Sequence, residues 1–543
     1  MHICTCLISL KGKYIHEFVM ELALCLSGGG YRAAMYHLGV LSYLEHVNMP
    51  QGGKLIDHIH TITSISGGAL PAFQYMLCIA DGRDAKEGFK ELYSKLVSTN
   101  IGNFLTDSYC KKSAEGASLI SCLADIYDEV FFHGEQFGKI LDAMDWDVLH
   151  HFTVDATDFE LGSPFRFQAT CDISQIDGRI EPFGVVGNRR HKIDREDARH
   201  IRLADIMAAT SCFPLVFEPI TFPGEFKMGG WITSLEERDI TYQLMDGGLV
   251  DNQGIDPAVH AGLHLIGLKK DLDVIILSDA GTTPLKNKND QLKISKCSPN
   301  FWFWLSYILV WISWGAALAC HLNSWHLACG LLLGLSSLFV AGCAFIKRFG
   351  DFAENAIRGK VHFDFKSSFM WNNSVNNIIT FLKARVNTAY RMVDVVMMGH
   401  IKKVAYRGLI HDNRFENKVM MNSLSVFSLG GRWSNVLGRR NRADKNLTPS
   451  TELRNVSNLA NKMDTTLWFT EDEIKAGVPQ AVLACGQFTT CWNLLQHIDR
   501  LNGKDEAELT EGQKVLKEIE PILLGDWEVF NKNPYIHTTS YLR

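Results

Sequence analysis

Close cysteine pairs are almost absent from this chain. Of its 14 cysteines only Cys4 and Cys6 stand near each other, and no C-x-x-C occurs. That excludes a zinc ribbon and a dithiol redox motif. The scatter from Cys4 to Cys491, with apolar contexts such as that of Cys25, reads as reduced thiols in a cytosolic compartment. A charge excess is missing too. The net charge is −6, from 54 Lys and Arg against 60 Asp and Glu, so no global basic balance points to nucleic acid. Residues 1–19 lack the apolar core and small-residue cleavage site of a secretory signal. Met20 directly precedes a strand-like run, so residues 1–19 read as an N-terminal extension whose place in the native protein is open. Repeats and low-complexity tracts are also missing. With 46% hydrophobic and 21% charged residues over 543 positions, a mostly disordered chain is excluded and a large core is within reach.

The most informative absence is local. From Cys297 to Ile346 there is no Asp, Glu, Lys or Arg. The block divides at His321–Ser324 into Phe301–Cys320 and Trp325–Ile346, each near the roughly 20 residues that cross a hydrocarbon core as a helix. Trp302, Trp304 and Trp325 stand near the ends, where indoles favour the bilayer interface. So short a connection joins antiparallel neighbours, which puts both outer flanks on one side. Those flanks carry Lys286, Lys288, Lys293 and Lys296 before, and Lys347, Arg348, Arg358 and Lys360 after. The positive-inside rule then predicts an integral membrane protein embedded through residues 301–346, with the rest of the chain in the cytoplasm. The competing interpretation is a buried helical hairpin or a dimer interface.

Elsewhere, short apolar runs alternate with helical stretches, the signature of α/β architecture with a mainly parallel sheet. Strands are predicted at Leu22–Leu26, His60–Ile65, Tyr242–Met245 and Asp273–Leu277, with paired strands at Phe152–Asp155 and Pro164–Ala169. Helices are predicted over Ala33–Val47, within Trp371–Val404 and over Glu506–Glu520, and a polar loop over Arg432–Lys445. Two basic stretches, Arg189–Arg199 and Arg432–Arg442, read as solvated loops, with anionic lipid head groups as the alternative contact.

Three short motifs follow predicted strands. Ser27-Gly28-Gly29-Gly30-Tyr31-Arg32 opens a helix. It is either a tight turn or a cradle for a phosphate or oxyanion. It lacks the Lys-Ser/Thr of a P-loop, which disfavours nucleotide. Ser64-Ile65-Ser66-Gly67-Gly68 is either a nucleophile elbow or a helix N-cap. Asp246-Gly247-Gly248 is either a turn or a carboxylate on a closely approachable turn. His37 and His60 read as core or surface residues rather than as members of a triad. No His, Cys, Asp or Glu cluster has metal-ligand spacing, so neither cofactor nor metal is expected.

The order and context of the three motifs resemble the patatin-like phospholipase family. Its signature G-G-G-x-R/K-G, G-x-S-x-G, D-G-G/A stands here as GGGYRA, SISGG and DGG, with Ala33 and Ser64 replacing one glycine each. Ala156-Thr157-Asp158 with Gly162, the stretch Ala208–Pro214 running on to Pro219, and Asp251-Asn252-Gln253-Gly254 are similar as well. The resemblance covers residues 20–285 well and 365–500 loosely. It implies a three-layer α/β/α fold interrupted by the hairpin, and a Ser–Asp dyad without histidine. Ser66 is then the nucleophile, Asp246 its base, and the N–H groups of Gly28, Gly29, Gly30 and Gly67 the oxyanion donors. Arg32 either fixes the glycine loop or meets a phosphate head group.

The expected division is an extension (1–19), a catalytic region (20–285), an insertion (286–360), a helical part completing the catalytic domain (361–500) and a helical tail (501–543). The expected activity is carboxylic ester hydrolysis on membrane lipids, of phospholipase A or lysophospholipase type. A neutral-lipid lipase, thioesterase or transacylase shares the same dyad, and a catalytically degenerate membrane-tethered binding protein is the alternative of another class. The oligomeric state is left open.

Overall fold

Leu22–Leu26 is an unbroken apolar run, and it forms strand β1, buried along its whole length. Such runs belong in a parallel sheet covered on both faces. The side chains of β1 divide by alternation. Leu22, Leu24 and Leu26 enter the larger core with helix α1 (Gly30–His46), while Ala23 and Cys25 enter a second core on the opposite face. That period of two makes a three-layer molecule from one strand's sequence.

The computed structural model describes residues 20–112, 116–171, 186–188, 192–193, 195–227, 240–267, 270–281, 299–358, 384–428 and 447–539. The extension 1–19, the loop Arg432–Lys445, part of the Arg189–Arg199 stretch and the start of the Trp371–Val404 segment lie outside them.

Strand β2 (Ile59–Ile65) pairs parallel with β1 and leads into helix α2 (Ala69–Asp81). Strands β3 (His151–Asp158) and β4 (Ser163–Thr170) form an antiparallel pair, extended by the short β5 (Val186–Gly187) and β6 (Lys192–Ile193). Helix α3 (Leu203–Thr210), β7 (Ile220–Phe222), β8 (Tyr242–Asp246), helix α4 (Ile255–Gly267) and β9 (Val274–Asp279) follow. Strand β10 (Val419–Ser423) closes the other edge, giving the order β10-β9-β1-β2-β3-β4-β5-β6 with β8 also on β3 and β7 on β8. The sheet is parallel from β10 to β3 and antiparallel beyond, so the expected mainly parallel sheet is present with an antiparallel outer part. The second core gathers α4 and the helix Met398–Ile410; the larger one gathers α1, α2 and the long helix Val478–Asn502.

The long helix crosses α1 where neither has a side chain. A Cβ on Gly39 would lie 2.2 Å from the Leu483 carbonyl oxygen, and one on Gly486 would lie 2.2 Å from that of Tyr36.

Helix α1 starts at Gly30, three residues before the predicted start at Ala33, because the last glycine of the loop is itself the first helical residue. The predicted helix Glu506–Glu520 is broken. Glu506–Glu508 is a single 3₁₀ turn, and Thr510 then starts Glu511–Glu518 with a reciprocal cap to Gln513. A second helix, Glu520–Lys532, follows.

The chain divides into two compact units, one of residues up to 284 together with those from 395 onward, the other of residues 285–394. In the second unit Pro299–Leu322 and His326–Arg358 form antiparallel helices, longer than the predicted 301–320 and 325–346. Ser324, in the left-handed region at φ 62°, makes the turn. Trp314 Nε1 donates to Ser336 Oγ at 2.8 Å across the pair. Segments Phe303–Leu322 and His326–Phe345 are long and apolar enough to cross a membrane. Trp311, Leu318, Leu327, Leu331 and Leu338 on them are exposed.

Candidate active site

Strand β3 has two edges, and β4 occupies one of them from His151 to Asp158. The other edge is therefore shared. β2 pairs along it in parallel up to Ile65 opposite Asp155, and β8 takes over antiparallel from Asp246 opposite Ala156. The ends of β2 and β8 thus meet at two consecutive residues of β3. Ser66, the residue after β2, and Asp246, the last of β8, are brought together by strand register. The Ser66 side chain lies close enough to the Asp246 carboxyl group to lower that group's affinity for a proton.

Ser66 sits at φ 49°, a left-handed conformation that costs a non-glycine residue about 1–2 kcal/mol. The sharp strand-to-helix turn explains it. Gly67 is packed so closely that a Cβ there would stand 2.0 Å from the Gly30 carbonyl oxygen. The elbow is held from outside: Ser66 N–H donates to Thr210 Oγ1 at 2.8 Å, and the Thr210 hydroxyl donates to the Asp155 carbonyl oxygen at 2.5 Å. The one signal of Thr210 in the sequence is its place in the Ala208–Pro214 stretch.

Asp246 is 4% exposed. Its backbone N–H donates to the Cys212 carbonyl at 2.9 Å, and its carbonyl accepts from Thr157 Oγ1 at 2.8 Å. Its Oδ1 accepts from Gly248 N–H at 2.8 Å. Burial pushes its carboxyl up to about 6, against the lowering effect of the Gly248 hydrogen bond and of the nearby Ser66 hydroxyl. Neighbouring Asp155 is also buried, and burial pushes it up to about 8. Arg166, 3.6 Å away, opposes that rise, and Asp246 is still the more readily ionised of the two.

The glycine loop lies against the elbow. A Cβ on Gly28 would stand 3.3 Å from Ser66 Cβ and 2.6 Å from Asn252 Oδ1. Gly30, at φ 60°, has no room for a Cβ, which would meet the Thr466 carbonyl oxygen at 2.4 Å. The Gly28 N–H departs from expectation. It donates to the Asn252 carbonyl oxygen at 3.1 Å, because the turn after Asp-Gly-Gly passes over it. Among the described residues, the N–H groups of Gly29, Gly30 and Gly67 donate no hydrogen bond other than any within their own helical turns.

Arg32 is buried. It donates from Nε to the Ala280 carbonyl at 3.0 Å and from Nη1 to that of Met463 at 2.9 Å, tying the loop after β9 to the start of α1. His37 lies beneath the loop, its Nδ1 2.9 Å from Ser278 Oγ and its Nε2 2.9 Å from the Ser27 carbonyl. Burial lowers it to about 4, so it stays neutral. His60 is a core residue beside Glu21 at 3.5 Å.

Thr210→Val leaves Ser66 N–H and the Asp155 carbonyl without their partner. One unsatisfied buried group costs about 1–3 kcal/mol. We expect kcat on a water-soluble short-chain ester to fall about tenfold to a hundredfold with KM little changed, and Thr210→Ser to restore it. Equal loss in both variants, or none in either, would remove Thr210 from the elbow's support.

Residues 24–259 match the family model for patatin-like phospholipase. No curated protein matches the chain significantly. Among solved structures, human GIVD cytosolic phospholipase A2 in complex with methyl gamma-linolenyl fluorophosphonate and terbium chloride is similar at 14% identity. The match covers 48% of this chain and 41% of that one, with a TM-score of 0.30. A further structure of human GIVD cytosolic phospholipase A2 is similar at 12% identity, over 51% of each chain, with a TM-score of 0.30. VipD from Legionella pneumophila is similar at 10% identity over 97% of this chain and 88% of that one, with a TM-score of 0.25. The chain thus spans about two fifths to one half of the human phospholipases it matches.

Proposed function

Residues 24–259 form a patatin-like phospholipase domain, and from that premise we propose that this chain is a membrane-anchored serine lipid acyl hydrolase of phospholipase A or lysophospholipase type. The observation that carries the proposal is Ser66 on a left-handed elbow, brought beside the buried Asp246 carboxyl group by the register of β2 and β8 on β3. A serine hydroxyl attacks well only when a neighbouring base takes its proton. Asp246 is that base, and its raised affinity for a proton suits it better than an exposed aspartate.

In the first half-reaction Ser66 Oγ bonds to the ester carbonyl carbon while its proton passes to Asp246. The intermediate's oxyanion is held by the N–H groups of Gly29, Gly30 and Gly67, donors oriented before reaction. Collapse breaks the ester C–O bond, and the Asp246 proton goes to the departing alcohol. Water then attacks the acyl-Ser66 carbonyl, giving its proton to Asp246. Collapse releases the fatty acid and returns that proton to Ser66. No cofactor or metal enters this sequence. Arg32 stabilises the loop from behind.

The helices Phe303–Leu322 and His326–Phe345 serve as the anchor. A core helix of a soluble protein is mostly buried, whereas only 11% and 6% of these segments are. Basic flanks on both sides favour a cytoplasmic catalytic domain. We retain the division into a catalytic region (20–285) completed by a helical part (361–500), with the hairpin inserted between them.

The test is incubation with a mixed membrane-lipid extract, reading products by mass spectrometry. Free fatty acid with lysophospholipid supports the proposal. Release from triacylglycerol or thioester alone transfers the same dyad to a different substrate. The pH dependence is a separate check. Asp246 acts as a base only when ionised, so kcat/KM on a soluble ester should rise with pH through about 6 and level off above it. A limb near 4, or none, would count against Asp246 as the base.

A further inference from the structure

The C-terminal end of α1 carries a cluster that plays no part in the hydrolase reading. His46, Asp526 and His537 each present one ligand atom, and the three atoms lie within 4.8 Å of one another. The residues come from three separate segments: the last position of α1, the helix Glu520–Lys532, and the turn after it. From this geometry we infer a divalent transition-metal site, zinc by the chemistry of its donors, formed by two imidazoles and one carboxylate.

His46 Nε2 stands 3.8 Å from Asp526 Oδ1, too far for a hydrogen bond. Ligand atoms about 2.0–2.2 Å from a tetrahedral zinc stand only a little nearer to each other, at about 3.3 Å. The widest pair, up to 4.8 Å apart, would have to draw in by up to about 1.5 Å around the ion. The His46 side chain makes no hydrogen bond among the described residues, and its ring packs against that of His537 with centroids 4.0 Å apart. The carboxylate is already oriented. The Tyr43 hydroxyl donates to Asp526 Oδ2 at 2.9 Å and leaves Oδ1 on the His46 side. Such outer partners are the usual means of fixing a metal ligand. The His46 side chain is 41% exposed, which provides an entry path and a water-filled fourth position. Lys86 is a nearby charge that opposes a cation, acting on His537.

The role is structural. Helix α1 has 17 residues, so at a rise of about 1.5 Å each its two ends are about 24 Å apart. The glycine loop lies at one end and this cluster at the other. A bound ion would pin the C-terminal segment onto the helix that presents Gly30. The one sequence signal was two histidines and an aspartate, too far apart to suggest a site.

The test uses the full-length protein, purified in detergent without a polyhistidine tag and stripped with chelator. Cobalt addition should give the visible absorption of a low-symmetry site, saturating at about one equivalent, and zinc should abolish it. Zinc should also raise the melting temperature. His46→Gln and His537→Gln should each weaken zinc binding at least a hundredfold, and Tyr43→Phe about 10–100-fold. Binding weaker than about 100 μM in the wild type, where the ion would add little to stability at cellular concentrations, would overturn the inference. So would unchanged binding in both histidine variants.

Discussion

Ser66→Ala is expected to lower fatty-acid release from phospholipid vesicles by about 10⁴–10⁶-fold, the range found when a hydrolase loses its nucleophile. What remains reflects binding and the glycine donors, not covalent catalysis. Asp246→Asn should approach the same floor. It keeps an acceptor for Gly248 N–H but takes up no proton. The double variant should be little worse than either single one, because residues that act in one step do not contribute additively. Alanine at φ 49° also carries the backbone cost that serine bears there, so an inactive Ser66→Ala protein alone would not separate chemistry from folding. Ser66→Gly does, since glycine accepts that conformation freely. It should be at least as stable as the wild type and equally inactive. A fluorophosphonate probe should label the wild type on the peptide containing Ser66 and leave both variants unlabelled. Near-normal hydrolysis in Ser66→Gly, or absence of labelling in folded wild type, would sink the dyad and favour a tethered binding protein.

The second large effect concerns the hairpin. Ile312 and Leu335 lie near the middle of the two apolar segments, and both are exposed. An arginine at the centre of a span costs about 2.5–3.5 kcal/mol on the insertion scale, so Ile312→Arg with Leu335→Arg opposes insertion by about 5–7 kcal/mol. The double variant should leave the carbonate-resistant membrane fraction. Vesicle hydrolysis should fall by about 10²–10⁴, the usual gain from tethering an enzyme beside its substrate. Hydrolysis of a water-soluble short-chain ester should be unchanged. Wild-type protein that washes off membranes with carbonate would contradict the anchor. Equal loss on both substrates would instead make the hairpin part of the hydrolase fold.

The legible parts of the molecule share a physical origin. A strand buried on both faces must be apolar throughout, so Leu22–Leu26 could be read directly and is found unchanged. Glycines before a helix mark a backbone with no room for a side chain, and Gly30 and Gly67 occupy such places. A charge-free block is legible because nothing but apolar surroundings tolerates it. The break near Leu509 is not legible in the sequence because Glu506–Glu520 has helical composition throughout, and the capping pair Thr510 and Gln513 acts at one position only.

Composition and local pattern by themselves determined the α/β class, the apolar hairpin and three short motifs, and the resemblance of those motifs to the patatin-like family supplied the candidate nucleophile and base. Each depends on residues adjacent in the chain. Only the tertiary structure decided what depends on residues far apart. Parallel and antiparallel strands share one edge of β3, and so residues 66 and 246 meet. Thr210 takes the Ser66 N–H, and the Asn252 carbonyl takes that of Gly28, removing one expected oxyanion donor. His46, Asp526 and His537 converge in the same way. A hydrogen bond or a ligand set is a relation between surfaces, and register and packing bring those surfaces together.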